Sequence, residues 1–315
     1  MTKSEMAETL DQIEDGLAEA LDPILSREEL VAKVQELQDL VSGDADETDE
    51  EKGFNEMTMP HKLGKRPPII DPRTLRFANY RTPQSAPLPQ PPEEISYVVK
   101  VPAWPMLLND QLGDCVIAAM GHMVQQWTYF SSYGANMRTM TDAEALAAYE
   151  AIGGYSPDDP NSDQGANMLT ALNYWRNKGI AVDGEIHKIA GFVSVNAANL
   201  AEVREAIWLF GNLFTGVQLP ISVQAENDWT VPDGGIYGPE GAPGGWGGHC
   251  IPTMAESPET LTCITWAERL KMSHNFLLDY ADEAYAVLSA DWFNLQGLAP
   301  AGFDAAALKR DIAAL

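Results

Sequence analysis

Two glycine-containing motifs, separated by more than a third of the 315-residue chain, constrain its fold more than any other feature. The first, Asn109–Cys115, reads NDQLGDC, and the second, Gly244–Cys250, reads GGWGGHC. A thiol nucleophile and its histidine base are often far apart in sequence and meet only in the folded protein. The two motifs therefore predict that Cys115 and His249 lie together in one site.

The residues around Cys115 predict the start of a helix. Asp114 has the character of an N-cap, and the largely apolar run from Val116 to Phe130 predicts the helix that follows. A cysteine in the first helical turn has its thiolate stabilised by the helix dipole and by free main-chain N–H groups. The alternative is a buried structural cysteine beside apolar neighbours. The glycine-flanked His249 favours the nucleophile.

These residues resemble the papain-like cysteine peptidase superfamily and, more narrowly, a group of uncharacterised phage and bacterial proteins built on that pattern. The resemblance extends from Trp104 to Trp292. The matching segments, in chain order, are Asn109–Cys115, Asp163–Gly165, Met168–Ile180, Val203–Ile207, Val217–Val223, Gly234–Tyr237, Gly248–His249 and Ile264–Ala267. It implies an α+β fold with two lobes, a helical lobe that carries the cysteine and an antiparallel β lobe that carries the histidine.

The resemblance also implies the roles of particular residues. Cys115 would be the nucleophile and His249 its base, while the side-chain amide of Asn109 would line the oxyanion hole. The family has Gln at that position, and Gln111 lies too close to the cysteine to match it. The residues implied to line the substrate cleft are Gln111, Asp163, Gly165, Trp246 and Trp266. Both tryptophans are equally consistent with core packing.

The third member of the family's catalytic triad has no clear equivalent. The family's Asn aligns with Ile264 if Trp266 is the anchor, or with Thr265 if residues are counted from His249. Neither is an amide or a carboxylate, and a one-residue slip of a strand turns every side chain to the other face. A threonine hydroxyl holds the imidazole tautomer less firmly than an amide. The interpretation is a Cys–His dyad with Thr265 as a weak third member, and a catalytically impaired descendant stays an alternative.

Composition excludes several classes of protein. The net charge of −26 disfavours nucleic-acid binding, which needs clustered cations. Three cysteines without framework spacing argue against a disulfide scaffold, and the adjacent His249 and Cys250 would point to opposite faces of a strand, which disfavours zinc. No phosphate-binding motif, signal peptide or membrane-spanning run occurs. We therefore expect no metal, cofactor or membrane partner, and a cytoplasmic or virion location.

Residues 1–52 predict an acidic helical segment for oligomerisation or anchoring. They hold seventeen acidic and four basic side chains, about half of the net charge. Two amphipathic helices are predicted, and the acidic stretch 44–52 predicts a solvated hinge. Their apolar stripes are Leu10, Ile13, Leu17 and Leu21 in the first, and Leu30, Val34, Leu37 and Val41 in the second.

Residues 53–103 predict a Pro-rich basic arm or linker. Proline density prevents helix here, and apolar residues such as Ile69 and Phe77 favour an arm that lies along its own domain or a neighbour, with its basic part on an acidic surface. A family prosegment is the other interpretation, but the long helical propeptide pattern is missing, which favours an assembly arm. Residues 1–100 would then contact a second copy or an assembly partner.

The remaining chain divides into a papain-like domain, 104–292, and a tail, 293–315, that packs on it. The run from Tyr280 to Leu315 predicts helix with turns at Asp291-Trp292 and Gly302-Phe303. Two functions fit the whole chain. One is a thiol hydrolase acting on a peptide or amide bond, and the other is an impaired papain-like scaffold serving in a virus particle or another assembly.

Overall fold

The structure is a computed structural model that describes residues 61–81, 90–293 and 310–311. The two predicted N-terminal helices, the hinge at 44–52, and the Gly302-Phe303 turn lie outside the described residues. None of the helices in the described ranges has the length and apolar character needed to cross a membrane.

Seven α-helices occur in the described ranges. They are α1 (Ala78–Arg81), α2 (Cys115–Ser132), α3 (Asp142–Gly153), α4 (Met168–Asn177), α5 (Leu200–Phe210), α6 (His274–Tyr280) and α7 (Ala290–Phe293). Short 3₁₀ turns lie at Pro160–Ser162, Ile221–Val223 and Gly235–Tyr237. The predicted helix after Cys115 is confirmed as α2.

Strands in the described ranges form one large sheet and a small hairpin. They are β1 (Ile95–Ser96), β2 (Ile180–Val182), β3 (Glu185–His187), β4 (Ile189–Ser194), β5 (Leu213–Leu219), β6 (Asp228–Trp229), β7 (Gly247–Glu256), β8 (Thr260–Thr265), β9 (Glu268–Ser273) and β10 (Ala281–Ser289). The large sheet has the order β4-β10-β5-β7-β8-β9-β6, with β1 also paired to β7. All its pairs are antiparallel except β6 with β9.

Local sequence explains where the other long helices begin and end. Thr141 and Glu144 form a reciprocal capping box at the start of α3, which ends at Gly154 with φ 77°. Asn199 caps α5 by accepting from the Glu202 N–H.

Two hydrophobic clusters correspond to two lobes. The helical cluster contains α2 and the Cys250 side chain, and the other fills the β lobe around Ile251. Strand β7 runs between them, so neighbouring residues contribute to opposite clusters. This is an α+β fold with a helical lobe that begins at Cys115 and an antiparallel β lobe that carries His249.

The helix predicted from Tyr280 to Leu315 is wrong over its first part. Ala281–Ser289 is instead a strand, β10, placed between β4 and β5. Its alanines, Glu283 and Leu288 favour a helix locally, but pairing with two neighbouring strands outweighs that preference. The described residues at 290–293 and 310–311 are helical.

Residues 61–81 lie along this same fold rather than extending from it. Lys65 forms ion pairs with Asp282 and Glu283, and Arg81 pairs with Glu205. These basic side chains of the Pro-rich region therefore meet acidic ones of the β lobe.

Candidate active site

Cys115 is the first residue of α2 and is buried, with 1% of its surface exposed. Burial raises the pKa of the thiol to about 12, against the smaller opposing effect of hydrogen bonds from the main chain of Cys250 and Gly64. The sulfur therefore lies against the residue that follows His249. The two motifs predicted to meet are brought to one place.

Asp114 holds the predicted N-cap position of α2, but its side chain makes no capping hydrogen bond within the described residues. The carboxyl accepts instead from the Asn109 amide at 3.1 Å. Burial raises the pKa of Asp114 well above its ordinary range. The Asp114 carboxyl also raises the pKa of the neighbouring Cys115 thiol by charge repulsion, an effect smaller than that of burial.

His249 lies near the start of β7 and is fully buried. Its Nε2 is 2.6 Å from the Thr265 hydroxyl, and its ring stacks on Trp266 with centroids 4.5 Å apart. Among the described residues, its Nδ1 has no hydrogen-bond partner. Burial lowers the pKa of the imidazole to about 3, so the ring is neutral near pH 7.

The geometry distinguishes the two candidates for the third position. Thr265, at the end of β8, contacts the His249 ring, whereas Ile264 packs in the helical-lobe core. Since its hydroxyl can donate or accept, Thr265 allows either tautomer of the ring.

The other predicted site residues differ in exposure and in what they contact. Asn109 uses both amide hydrogens inside its own loop, donating to the Leu112 carbonyl and to Asp114. Gln111 is exposed. Trp246 packs against Trp266, with ring centroids 5.6 Å apart.

Asp163 and Gly165 belong to a network that joins two loops. Asp163 accepts from the Gly113 N–H at 3.0 Å and from the Tyr149 hydroxyl at 2.6 Å, and the Gly165 N–H donates to the same hydroxyl at 2.8 Å. This network fixes the turn before Cys115 relative to the loop at 163–165. Tyr149 was missed from the sequence, where it is one aromatic residue within an alanine-rich helix.

Residues 62–66, which we call the groove segment, occupy the space between these loops. Its main chain is hydrogen-bonded to both lobes. The bonds are Lys62 N–H to Asn109 O (3.1 Å), Lys65 N–H to Gly248 O (3.0 Å), Arg66 N–H to Ala166 O (2.9 Å), Ala166 N–H to Gly64 O (2.8 Å) and Trp266 Nε1–H to Lys62 O (3.2 Å). The site is therefore covered by a more N-terminal part of its own chain.

Glycines allow the groove segment to approach this closely. A Cβ added to Gly64 would lie 1.7 Å from the Gly113 carbonyl oxygen, and one added to Gly165 would lie 1.9 Å from the Gly64 oxygen. Gly165 also has φ 75°, which other residues rarely adopt. These contacts explain why glycine is needed in the groove segment, at Gly64, and in the loop it touches, at Gly165.

Lys65 anchors the groove segment through a fully buried ammonium group. Its Nζ lies 2.8 Å from Asp282 and 3.0 Å from Glu283, and its side chain has no exposed surface. Sequence reasoning missed this contact, because 217 residues separate Lys65 from Asp282.

Comparison with known proteins gives a fold but no sequence family. No family model and no curated protein matches the sequence with significance. Xylellain, a cysteine protease from Xylella fastidiosa, matches in structure with a TM-score of 0.56 and 12% identity, over 73% of this chain and 97% of xylellain. The chain has the papain-like fold.

Other papain-like structures match with lower scores. A procathepsin B from Trypanosoma congolense and the stem bromelain precursor both match at a TM-score of 0.46, with identities of 13% and 14%. They cover 72% and 75% of this chain and 86% and 80% of their own chains. The fold rests on the xylellain match, whose 12% identity leaves the reaction to be argued from the site.

Proposed function

We propose that this papain-like chain is a thiol hydrolase acting on a peptide or amide bond. Cys115 is the nucleophile, His249 the general base and Thr265 the residue that orients the imidazole. The observation that carries the proposal is the arrangement of the His249 ring. Its Nε2 is held by Thr265, while Nδ1 has no partner within the described residues and the next residue touches the Cys115 sulfur.

The chemistry follows from these positions. Nδ1 of His249 takes the thiol proton, the sulfur attacks the carbonyl carbon, and the imidazolium then protonates the leaving amine. Water resolves the resulting thioester. The Cys115 N–H at the start of α2 stabilises the oxyanion, and the Asn109 amide joins it only if it turns away from Asp114. Loss of one such donor costs roughly 100- to 1000-fold in rate.

The described arrangement is a closed state. The thiol and the imidazole are both neutral near pH 7, and the groove segment presents the Gly64 N–H, not a carbonyl carbon, to the sulfur. A sulfur nucleophile needs a carbonyl carbon, so the groove segment is not positioned as a substrate. Activity therefore requires residues 62–66 to leave the groove.

A second candidate is a papain-like scaffold without turnover, such as a component of a phage particle or another assembly. Two observations favour it: the position opposite His249 holds Thr265 instead of an amide or carboxylate, and the thiol is sealed. Residues 1–100 would then provide the contacts to a second copy or an assembly partner, as their composition predicts.

A single substitution outside the dyad can separate the two candidates. Gly64→Ala cannot keep its place against the Gly113 carbonyl, so it should displace the groove segment while leaving Cys115 and His249 intact. We would measure Cys115 alkylation by iodoacetamide from pH 4 to 9 in four full-length chains: native, Gly64→Ala, Gly64→Ala with His249→Ala, and Ile70→Ala. The last is a control, because Ile70 lies in the same arm and is exposed.

For a hydrolase, Gly64→Ala should react about 100-fold faster than the native chain and Ile70→Ala, with a rate that persists below pH 6 and collapses without His249. Cleavage of a fluorogenic amide, with Cys115→Ala as its control, would then show whether the opened chain turns over. A rate that rises only near the ordinary thiol pKa of about 8.5 and is indifferent to His249 would favour the scaffold.

A further inference from the structure

The buried ammonium of Lys65 occupies a site built from acceptors. Asp282 and Glu283 provide two carboxylates, and the Arg66 carbonyl lies 3.3 Å from the same nitrogen. An ammonium group has three N–H donors, so the three acceptors match it. Burying such a charge is costly unless it is paired and hydrogen-bonded, and this site meets both conditions.

The two carboxylates are held in place by residues other than Lys65. The Gln218 side-chain amide donates to Asp282 at 2.6 Å, and the Tyr285 hydroxyl donates to Glu283 at 2.9 Å. The acidic pocket, formed by Asp282 and Glu283, is thus oriented by its own lobe. It would keep its geometry when the groove segment leaves.

Gly216 gives the acidic pocket its depth. A Cβ at this position on β5 would lie 2.1 Å from Lys65 Cε and 2.9 Å from an Asp282 oxygen. Any larger residue would therefore fill the space through which the lysine stem reaches the carboxylates. The pocket accommodates a long aliphatic stem that ends in a cation.

The acidic pocket is adjacent to the thiol along the bound chain. Gly64, the residue before Lys65, contacts the Cys115 sulfur and lies between Gly113 and Gly165. Leu63, one residue earlier, lies so near Gly247 that a Cβ there would be 2.9 Å from its Cδ1. The groove therefore fits an apolar residue, a glycine and a basic residue in succession.

We propose that the acidic pocket of Asp282 and Glu283 is a specificity site for a lysine side chain of a peptide ligand that carries glycine in the neighbouring position. The proposal rests on the proposed function for its role in catalysis. Lys65 fills the pocket in the closed state, and a ligand lysine takes its place in the open one. Two carboxylates without a cation at the edge of the cleft make the open pocket selective for positive charge.

Binding tests the proposal without turnover. The full-length chain with Gly64→Ala, Lys65→Met and Cys115→Ala has an emptied pocket and no nucleophile. The probes are acetyl-Leu-Gly-Lys-amide and its norleucine analogue, which has the same stem without the charge, measured by titration calorimetry after circular dichroism has verified the fold. We expect the lysine peptide to bind about tenfold more tightly than the norleucine peptide, because only lysine can donate charge-assisted hydrogen bonds to the two carboxylates.

A matched pair of charge variants locates the effect. Glu283→Gln added to the same chain should remove the preference for lysine, whereas Asp279→Asn, at an exposed carboxylate of α6, should leave it unchanged. Equal binding of both peptides, or binding of neither, would overturn the proposal. Neither result bears on thiol activation, which is tested separately by alkylation of the Gly64→Ala chain.

A second measurement needs only one substitution. In Lys65→Ala, n-butylammonium should raise the melting temperature, because it restores a cation to the acidic pocket. Butanol should not do so, and n-butylammonium should not stabilise the native chain or Lys65→Ala with Glu283→Gln. Equal stabilisation of all these chains would contradict a cation site at Asp282 and Glu283.

Discussion

His122 in the helical lobe and His249 in the β lobe have closely similar surroundings. Both are buried, and each ring lies near a tryptophan, Trp104 at 5.6 Å and Trp266 at 4.5 Å between centroids. Burial lowers the pKa of His122 to about 4 and that of His249 to about 3. Within the described residues, Nδ1 of each ring lacks a hydrogen-bond partner.

The two rings differ in what holds the other nitrogen. Nε2 of His122 is 2.8 Å from the Pro105 carbonyl, which can only accept, so that nitrogen keeps its hydrogen. Nε2 of His249 faces a hydroxyl, and the residue after His249 contacts the thiol. Burial and a lowered pKa therefore do not identify a catalytic histidine. The two rings are distinguished by the contact of Nε2 and by whether the following residue touches a thiol.

The largest expected difference between the two histidines is in rate. In the opened Gly64→Ala chain, His249→Ala should reduce amide hydrolysis roughly a thousandfold, since general base catalysis is lost. His122→Ala should change the rate about threefold or less, because its ring lies two turns along α2 from Cys115 and contacts the Pro105 carbonyl. Initial rates with a fluorogenic amide measure both. Similar losses in the two variants would show that His249 has no role in the reaction that His122 lacks.

The next largest expected effect is on acid stability, and here the two histidines act in the same direction. The unfolded chain protonates His122 near its ordinary pKa of 6.5, whereas the folded chain does so near 4, so the unfolded state binds more protons between these values. The free energy of unfolding should therefore fall as pH drops from 6.5 to 4, by on the order of 3 kcal/mol from this residue.

His122→Gln tests that contribution, since glutamine can still donate to the Pro105 carbonyl without titrating. Urea unfolding at pH 7 and pH 4.5 should show a smaller pH dependence in the variant than in the native chain. An unchanged dependence would assign the acid sensitivity to other groups, His249 first among them.

The smallest expected effect concerns Thr265. In the Gly64→Ala chain, Thr265→Val should lower kcat about tenfold with little change in KM, as one neutral hydrogen bond to the imidazole is lost. Thr265→Asn, which restores an amide at this position, should recover or exceed the starting rate. If valine and asparagine behave alike, Thr265 packs against the ring without orienting it.

The part of the site that could be predicted is the part with local sequence signals. Glycine flanks and an apolar periodicity mark Cys115 and the helix that follows it, and glycine likewise marks the strand that begins at Gly247. Thr265 could not be distinguished from Ile264 because the pairing of β7 with β8 shifts register between Thr253 and Ala255. An extra residue inside a hairpin cannot be counted from sequence alone.

The remainder depends on contacts between distant residues. The sequence of β10 favours a helix, and only its pairing with β4 and β5 makes it a strand. The acidic pocket on β10 could not be recognised from sequence, because Lys65, which fills it, is far away in the chain. Likewise, sequence favoured an assembly arm over a prosegment for residues 53–103. Residues 62–66 of that region lie in the cleft, held by main-chain hydrogen bonds that leave little signal in the side chains.

The groove segment, by covering Cys115, also affects how readily this cysteine is oxidised. Oxidation of a cysteine proceeds through the thiolate and requires access by the oxidant. With a pKa of about 12 and 1% exposure, the Cys115 thiol offers neither at neutral pH. Peroxide should therefore convert Cys115 to sulfenic acid far more slowly than a free thiol, so the closed chain keeps this cysteine reduced in an oxidising medium.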